Sequence, residues 1–355
     1  EVPYKEQMVA ALLRGQDFPE EEIVFSAHLF EGFAKQGAND DASGCVAILE
    51  TARALKQLVD DGKIPPLRRS VRFLFVPEIS GTAAYIQKYP QIASRFFANI
   101  NQDMVGEALA KNRSLFNLER SPHSLPSYLG DVLESIVRWV GETQKDNEEY
   151  EGDLPQIVSP TGTRDPFYYA ITGFTGGSDH IVFLDGGVRV PSVMFICWPD
   201  MWYHTSGDTP DKSDPTQLKR TVFIGVAAAA FLANAGPVEV QKMAAETSGR
   251  AIGRLGLEKL RAAKTILEAE PKDIHVALGE ALNIVNQGID REKEALASIR
   301  FFCKGDAALE AFLKAKIKGL EDLRPSFLRD VDETYRWRCL QEKVKPQKPV
   351  PSDAE

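Results

Sequence analysis

Five histidine and carboxylate side chains in this sequence lie at, or just past, the end of a strand-like run: His28, Asp40, Glu78, Asp103 and His204. Open α/β sheets place their chemistry at the carboxyl ends of their strands, so we expect the five residues to meet at one crevice. Imidazole nitrogen and carboxylate oxygen both suit zinc. Two His and two Asp could bind one or two zinc ions, and Glu78 could then accept a proton from a water molecule whose pKa the cation lowers. The pattern indicates metal-assisted hydrolysis.

Each of these residues also has a purely structural interpretation. His28 would then be a hydrogen-bonded core residue, Asp103 a turn residue and Glu78 a surface charge. The segment 37–44 around Asp40 likewise fits an ordinary helix N-cap, because Asn, Asp and Ser side chains accept hydrogen bonds from the N–H groups of the first turn. Taken singly, the structural interpretations are favoured, and only the combination indicates a site.

Strand-like and helix-like segments alternate through the first two thirds of the chain. Strands are predicted at 8–14, 22–29, 70–76, 96–101, 114–119 and 193–197. Helices are predicted at 40–62, from 82, at 124–147 and from 214 or 216 to 235. This alternation predicts an α/β fold with a three-layer, doubly wound, mostly parallel sheet. We expect the first two strands to form a hairpin or adjacent pair, and 114–119 to be an edge strand.

The composition changes at Gly236-Pro237, which predicts a domain boundary between residues 1–236 and the rest. Over 237–341 we expect a helical appendage of about three helices. Its apolar row at helical spacing should pack on itself or on a second copy of the chain; the row comprises Leu278, Leu282, Val285, Ile289, Leu296 and Ile299. Residues 342–355, with three prolines, are predicted to be a disordered tail, and the acidic stretch 147–166 a surface loop near the site.

The overall composition argues against several partners. The net charge of −9 disfavours a nucleic acid or an anionic membrane, and no run of about 18 apolar residues could span a bilayer. The chain begins with Glu1 rather than Met. We therefore expect that an upstream segment, either a signal peptide or a further domain, has been removed.

Six short motifs together resemble the zinc aminopeptidase family that also includes glutaminyl cyclases and the transferrin-receptor ectodomain. They are Ser26-Ala27-His28, Gly37-Ala38-Asn39-Asp40-Asp41-Ala42-Ser43-Gly44, Pro77-Glu78-Ile79-Ser80-Gly81, Gln102-Asp103-Met104-Val105-Gly106, Ser178-Asp179-His180 and Tyr203-His204-Thr205. The motifs occur in the family's order between residues 8 and 235, and the region after Pro237 is not covered. The resemblance implies a zinc-exopeptidase-like catalytic domain at 1–236.

The resemblance also implies how a metal would be held. His28, Asp40 and Asp103 are similar to the ligands of one zinc ion. Asp40, as a bridge, and His204 are similar to ligands of a second. The peptide bond after the bridging Asp tends to be cis in the family, so the Asp40-Asp41 bond is expected to be cis.

Four further residues receive roles from the same resemblance. Glu78 is similar to the general base, and Tyr203 is similar to a residue that steadies the oxyanion of the tetrahedral intermediate in some members. Asp179 and His180 resemble groups that support the metal ligands or line the substrate pocket, although a helix cap beside the site is an equally good interpretation.

Two positions depart from the family pattern. Phe30 stands where most members have an Asp that orients the first His. Ile79 stands where most have a second Glu, a ligand of the metal that His204 binds. The second departure predicts one tightly bound zinc ion and a second that is weaker or absent.

The function implied by the resemblance is a metal-dependent aminopeptidase that cleaves N-terminal residues from peptides by zinc-activated water. Two alternatives stay open: a single-metal cyclase-like or other amide hydrolase, and a catalytically inactive peptidase-fold binding module. The expected partners are a peptide or small amide substrate and a second copy of the chain through the C-terminal helices. The localisation is left open, with the resemblance and the missing upstream segment favouring a secreted or periplasmic protein.

Overall fold

The computed structural model describes residues 6–30, 35–144 and 156–349. Its strands are β1 (Val9–Leu13), β2 (Phe18–Phe30), β3 (Arg69–Pro77), β4 (Phe96–Gln102), β5 (Leu115–Glu119), β6 (Tyr169–Thr172) and β7 (Ser192–Trp198). They form one sheet in the order β1-β3-β2-β4-β7-β5-β6. The pairs β1–β3 and β5–β7 are antiparallel, and the other four neighbouring pairs are parallel. The predicted α/β fold with a mostly parallel sheet is confirmed.

Helices alternate with these strands and cover the sheet. They are α1 (Ala42–Asp60), α2 (Ser80–Lys88), α3 (Pro90–Ala93), α4 (Leu109–Asn112), α5 (Leu129–Thr143), α6 (His180–Leu184) and α7 (Pro215–Ala233). Strands β3 and β4 are buried at every residue, which requires cover on both faces of the sheet. Val24 and Leu74 pack with Tyr85 of α2 and Phe183 of α6, whereas α1 and α7 contact each other and strands β2 and β3.

The first two strands are not neighbours, so the predicted hairpin is wrong. β3 lies between them, pairing antiparallel with β1 and parallel with β2. Both edges of β2 are occupied, by β3 and β4, and β1 therefore joins the sheet at the other edge of β3. The connection passes against the start of β3, where Gly15 N donates a hydrogen bond to Ser70 Oγ (3.0 Å) and a Cβ at Gly15 would lie 2.4 Å from the carbonyl carbon of Arg69.

The predicted edge strand is also misplaced. β5 lies between β7 and β6, and β6 forms the edge. Because β6 has only four residues, all of them half-buried, it lacks the long apolar run by which strands are recognised in a sequence.

The described chain divides into two compact units, Glu1–Leu125 with Val132–Ala235, and Pro126–Asp131 with Gly236–Glu355. The second unit contains four long helices rather than the predicted three: α8 (Pro237–Leu267), α9 (Ile274–Ala297), α10 (Ala307–Glu321) and α11 (Arg324–Gln341). Val285, Ile289 and Leu296 of the predicted apolar row are buried, and these helices contact one another. The domain boundary and oligomerisation through these helices stay predictions.

Two predicted irregular segments are only partly described. Residues 147–155 of the expected surface loop and residues 350–355 of the expected tail lie outside the described residues. Within the tail, Gln347 N donates a hydrogen bond to the hydroxyl of Tyr335 (2.8 Å).

In the described part of the chain no single helix is long and apolar enough to cross a membrane. One bent pair, Pro215–Ala233 with Pro237–Leu267, would meet the requirement by length and composition only.

Candidate metal centre

Two parallel strands and one helix N-terminus bring three of the predicted ligands together. His28 lies near the C-terminal end of β2, Asp103 directly follows β4, and Asp40 lies two residues before α1. Nε2 of His28 is 3.2 Å from Oδ1 of Asp40 and 3.5 Å from Oδ1 of Asp103. All three side chains are buried.

This cluster fits a metal ion. The ligand atoms of the three residues lie within 4.8 Å of one another. Tetrahedral zinc with bonds of about 2.0–2.2 Å separates its ligand atoms by about 3.3–3.6 Å, close to the two distances from His28. In the described structure the buried Oδ1 of Asp103 accepts no hydrogen bond, so a lone pair remains for a cation.

The electrostatics of the cluster also favour a positive charge. Burial by itself lowers the pKa of His28, but its contacts with Asp103 and Asp40, together with the negative charge of Asp41, raise that pKa well above the ordinary value. The carboxylates therefore favour a cation at this point, either a proton on His28 or a metal ion that replaces it.

Asp41, rather than Asp40, is the helix cap. Its Oδ1 accepts hydrogen bonds from Gly44 N (2.9 Å) and Met104 N (3.0 Å), and its Oδ2 accepts one from His28 N (3.1 Å). One buried carboxylate thus ties the start of α1 to the backbone of His28 and of the residue after Asp103. The Asp40–Asp41 peptide is cis, as the resemblance implies. The cap interpretation of this segment therefore applies to Asp41, and the role of Asp40 as a metal ligand stays a prediction.

Asp208 supports the same segment and was not among the predicted site residues. Its Oδ1 accepts a hydrogen bond from Asn39 N (2.7 Å) and its Oδ2 accepts one from Asp40 N (3.0 Å). In the sequence it is one more Asp in a Gly-Asp-Thr-Pro turn, and only its position four residues after His204 could have indicated a role.

His204 makes a separate contact with Asp40. Nε2 of His204 is 3.2 Å from Oδ2 of Asp40, and the His204 side chain is 42% exposed. The ring of Tyr203 stacks on that of His204 (3.6 Å between centroids) and meets Trp198 edge-on. Across the described residues, the only cluster of three or more His, Cys, Asp or Glu ligand atoms at metal spacing is that of His28.

Glu78 lines the same cavity as Asp40, Asp103 and His204. The cavity has a volume of about 310 Å³, and its lining residues are Asp40, Glu78, Asp103, Met104, Glu119, Thr175, Gly176, Gly177, Met194, Ile196, Trp198, Tyr203 and His204. Directly after Glu78, Ile79 has φ 53° and ψ −59°, and Ser80 N donates to the carbonyl oxygen of Glu78, which makes a γ-turn. The roles of Glu78 as base and of Tyr203 as oxyanion donor stay predictions.

Asp179 and His180 lie behind the cavity wall and are not among its lining residues. Oδ1 of Asp179 accepts hydrogen bonds from Ile79 N (2.7 Å) and Thr82 Oγ1 (2.6 Å), so this carboxylate caps the first turn of α2 directly after Glu78. Burial raises the pKa of Asp179 to about 6, against the effect of these two hydrogen bonds.

His180 supports Thr175, which lines the cavity. Burial lowers the pKa of His180, and its Nε2 donates to the carbonyl oxygen of Thr175 (2.8 Å). The two residues therefore hold the segments that line the cavity.

Removing the carboxylate of Asp179 should destabilise the fold. We expect Asp179→Ala to lower the free energy of unfolding by about 2–4 kcal/mol, because two donors lose a charged acceptor. Asp179→Asn keeps an oxygen at Oδ1 and should lose less than half as much. Urea denaturation of both variants measures the difference, and equal losses would show that the hydrogen bonds to Ile79 and Thr82 contribute little.

The pH dependence provides a second measurement on the same variants. The pKa of Asp179, about 6 when folded against a model value of 3.8, means that the folded state binds this proton more tightly. The contribution of Asp179 to stability therefore falls as the pH rises from about 4 to about 6. With chelator present, wild type should lose more stability over this interval than Asp179→Asn.

One family model matches the sheet-forming part of the chain. The model described as Peptidase family M28 matches residues 8–229, more than half of the 355-residue chain. The chain belongs to peptidase family M28. The match ends before α8, so the M28 region coincides with the sheet and its helices.

The solved structures that the chain resembles include aminopeptidases and glutaminyl cyclases. BSAP, a zinc aminopeptidase from Bacillus subtilis, is 21% identical with a TM-score of 0.45, covering 63% of this chain and 48% of its own. An aminopeptidase from Aneurinibacillus sp. strain AM-1 is 22% identical with a TM-score of 0.44, covering 64% and 47%. A glutaminyl cyclase from an Acidobacteriales bacterium is 20% identical with a TM-score of 0.45, covering 64% and 73%.

The chain spans about half the length of the two aminopeptidases. No curated protein matches it. Assignment to M28 therefore rests on the family model.

Proposed function

We propose that this chain is a zinc-dependent aminopeptidase that removes N-terminal residues from peptides or small amides, with Glu78 as the general base. The observation that carries the proposal is that Glu78 shares one cavity with Asp40 and Asp103, two carboxylates of the buried His28 cluster. A base and a metal position that open onto the same space can act on the same water molecule.

Each residue of the site would have a separate role in hydrolysis. When bound, a zinc ion supplies a Lewis acid that lowers the pKa of water and polarises the scissile carbonyl. His28, Asp40 and Asp103 would hold it. Glu78 accepts the proton of the attacking water and returns it to the leaving amine. The hydroxyl of Tyr203, which lines the cavity beside His204, donates to the oxyanion.

The test combines metal analysis with substrate assays on protein purified without chelator. We expect zinc in the protein and release of p-nitroaniline from aminoacyl p-nitroanilides, but none from the N-acetylated substrates, since an aminopeptidase needs a free amino group. Cleavage of acetylated substrates would contradict the exopeptidase assignment. Conversion of N-terminal glutamine to pyroglutamate without hydrolysis would favour the cyclase-like alternative, which the single three-residue metal cluster also permits.

A further inference from the structure

Glu119 is a buried carboxylate in the cavity that the proposed mechanism does not use. It is the last residue of β5, its side chain lines the cavity, and it is 8% exposed. Its Oε2 accepts hydrogen bonds from Thr175 N (3.2 Å) and Thr175 Oγ1 (2.6 Å). No hydrogen bond to Oε1 is found in the described part of the chain, and burial raises the pKa of Glu119. One oxygen of this carboxylate is therefore available to accept a hydrogen bond from a ligand.

The register of the sheet places Glu119 away from the metal cluster. Glu119 pairs with Met194 of β7, and Met194 pairs with Asn101 of β4. Glu119 and Asn101 thus lie two strand spacings apart, about 10 Å, and Asp103 lies two residues beyond Asn101. Strand side chains stand roughly perpendicular to the sheet, so the Glu119 carboxylate forms a separate end of the cavity.

The wall between these two ends is apolar. Met194, Ile196 and Trp198 alternate along β7, which puts them on the face that Glu119 occupies through its pairing with Met194. All three line the cavity, and among the described residues that line it none is Lys or Arg. An apolar channel that ends in a carboxylate matches a side chain with a methylene stem and a cationic tip.

We propose that Glu119 is a specificity-determining residue that selects a basic side chain, Lys or Arg, at the N-terminal residue of the substrate. The proposal deepens the proposed function and rests on it for the position of the scissile bond. Bound at the metal cluster, the substrate extends its side chain along Met194 and Ile196, and its ammonium or guanidinium group meets Oε1 of Glu119. The contact there is a charge-assisted hydrogen bond, which is stronger than a bond between neutral groups.

The α-amino group of the substrate does not explain the position of Glu119. That group is one carbon from the scissile carbonyl and must stay beside the metal cluster, about two strand spacings from the Glu119 strand position. A carboxylate at the far end of the cavity therefore recognises the side chain, and its effect should depend on the tip of that side chain alone.

The test compares the binding of L-lysine with that of L-norleucine, which shares the α-amino group and the stem but lacks the ammonium group. Titration calorimetry on zinc-loaded protein should give about 10-fold or tighter binding of lysine, the range of one charge-assisted hydrogen bond. Glu119→Gln keeps an oxygen for Thr175 and removes the charge, so the preference should fall to within about twofold while norleucine affinity is unchanged. Glu50→Gln, a change at an exposed, ion-paired Glu of α1, is the control and should keep the preference.

Parallel measurements of kcat/KM with lysyl and norleucyl p-nitroanilides separate this proposal from the proposed function. Hydrolysis of both substrates without a lysine preference overturns the role of Glu119 and leaves the aminopeptidase assignment in place. Selective binding of lysine that Glu119→Gln abolishes, without hydrolysis of either substrate, supports the pocket and contradicts the aminopeptidase assignment. Equal binding of the two amino acids by wild type, or a preference that survives in Glu119→Gln, overturns the pocket.

Discussion

Glu78→Gln should lower kcat by about 10²- to 10⁴-fold, the range that a general base supplies, while the zinc content and the unfolding free energy stay close to those of wild type. The amide keeps the shape of the side chain and loses only its capacity to accept the proton. Because Glu78 is outside the buried cluster of His28, Asp40 and Asp103, the metal ligands are untouched by the change. Steady-state kinetics and metal analysis of the same preparation measure both quantities.

A surface substitution provides the matched control for this variant. Glu50 lies on the exposed side of α1 and pairs with Arg53, so Glu50→Gln removes one carboxylate without approaching the cavity. Its kcat should match that of wild type. Near-normal turnover by Glu78→Gln would mean that another group accepts the proton, whereas loss of zinc from that variant would mean that Glu78 serves the metal instead.

The residues at the strand ends could be located from the sequence because their signals are local. An apolar run of β-branched and aromatic residues identifies β2, β3 and β4, and the polar residue that follows each run then lies at the sheet's carboxyl edge. Which strands pair could not be predicted in the same way. The pairing of β1 with β3 depends on which strand edges remain free after β2 pairs with β3 and β4. No residue of the first two strands carries that information.

The supporting residues of the site could not be predicted for a related reason. Asp208 and Asp40 are 168 residues apart, and Thr82 and Asp179 are 97 apart. A carboxylate that accepts a hydrogen bond from a distant segment has the same sequence context as any turn or cap residue. Glu119 could not be predicted for the same reason. It is an acidic residue at the end of a short strand, and its contacts with Thr175 and β7 are apparent only in the structure.

Metal titration should show two unequal positions, and Ile79→Glu should make them more equal. The first position has His28, Asp40 and Asp103, whereas the second has His204 and Asp40 and, across the described residues, no third ligand at metal spacing. Wild-type protein from which a chelator has removed the metal should therefore bind one zinc ion tightly and a second weakly or not at all. Ile79→Glu places a carboxylate where the family pattern has one, and it should raise the tightly bound zinc from one ion to two per chain.

The backbone at residue 79 favours this substitution. Ile79 has φ 53°, a conformation that is unfavourable for a β-branched side chain, and Glu has no branch at Cβ. Asp179 accepts the hydrogen bond from the backbone N–H of residue 79, so the turn does not depend on the isoleucine side chain. Ile79→Gln is the control, since it relieves the same strain without adding a charge and should still bind one ion tightly. Two equally tight ions in wild type would mean that a further ligand replaces the missing Glu. No tight ion in wild type would favour a binding module over an enzyme. A second tight ion in Ile79→Gln would mean that the relieved backbone strain, rather than the added carboxylate, causes the gain in binding.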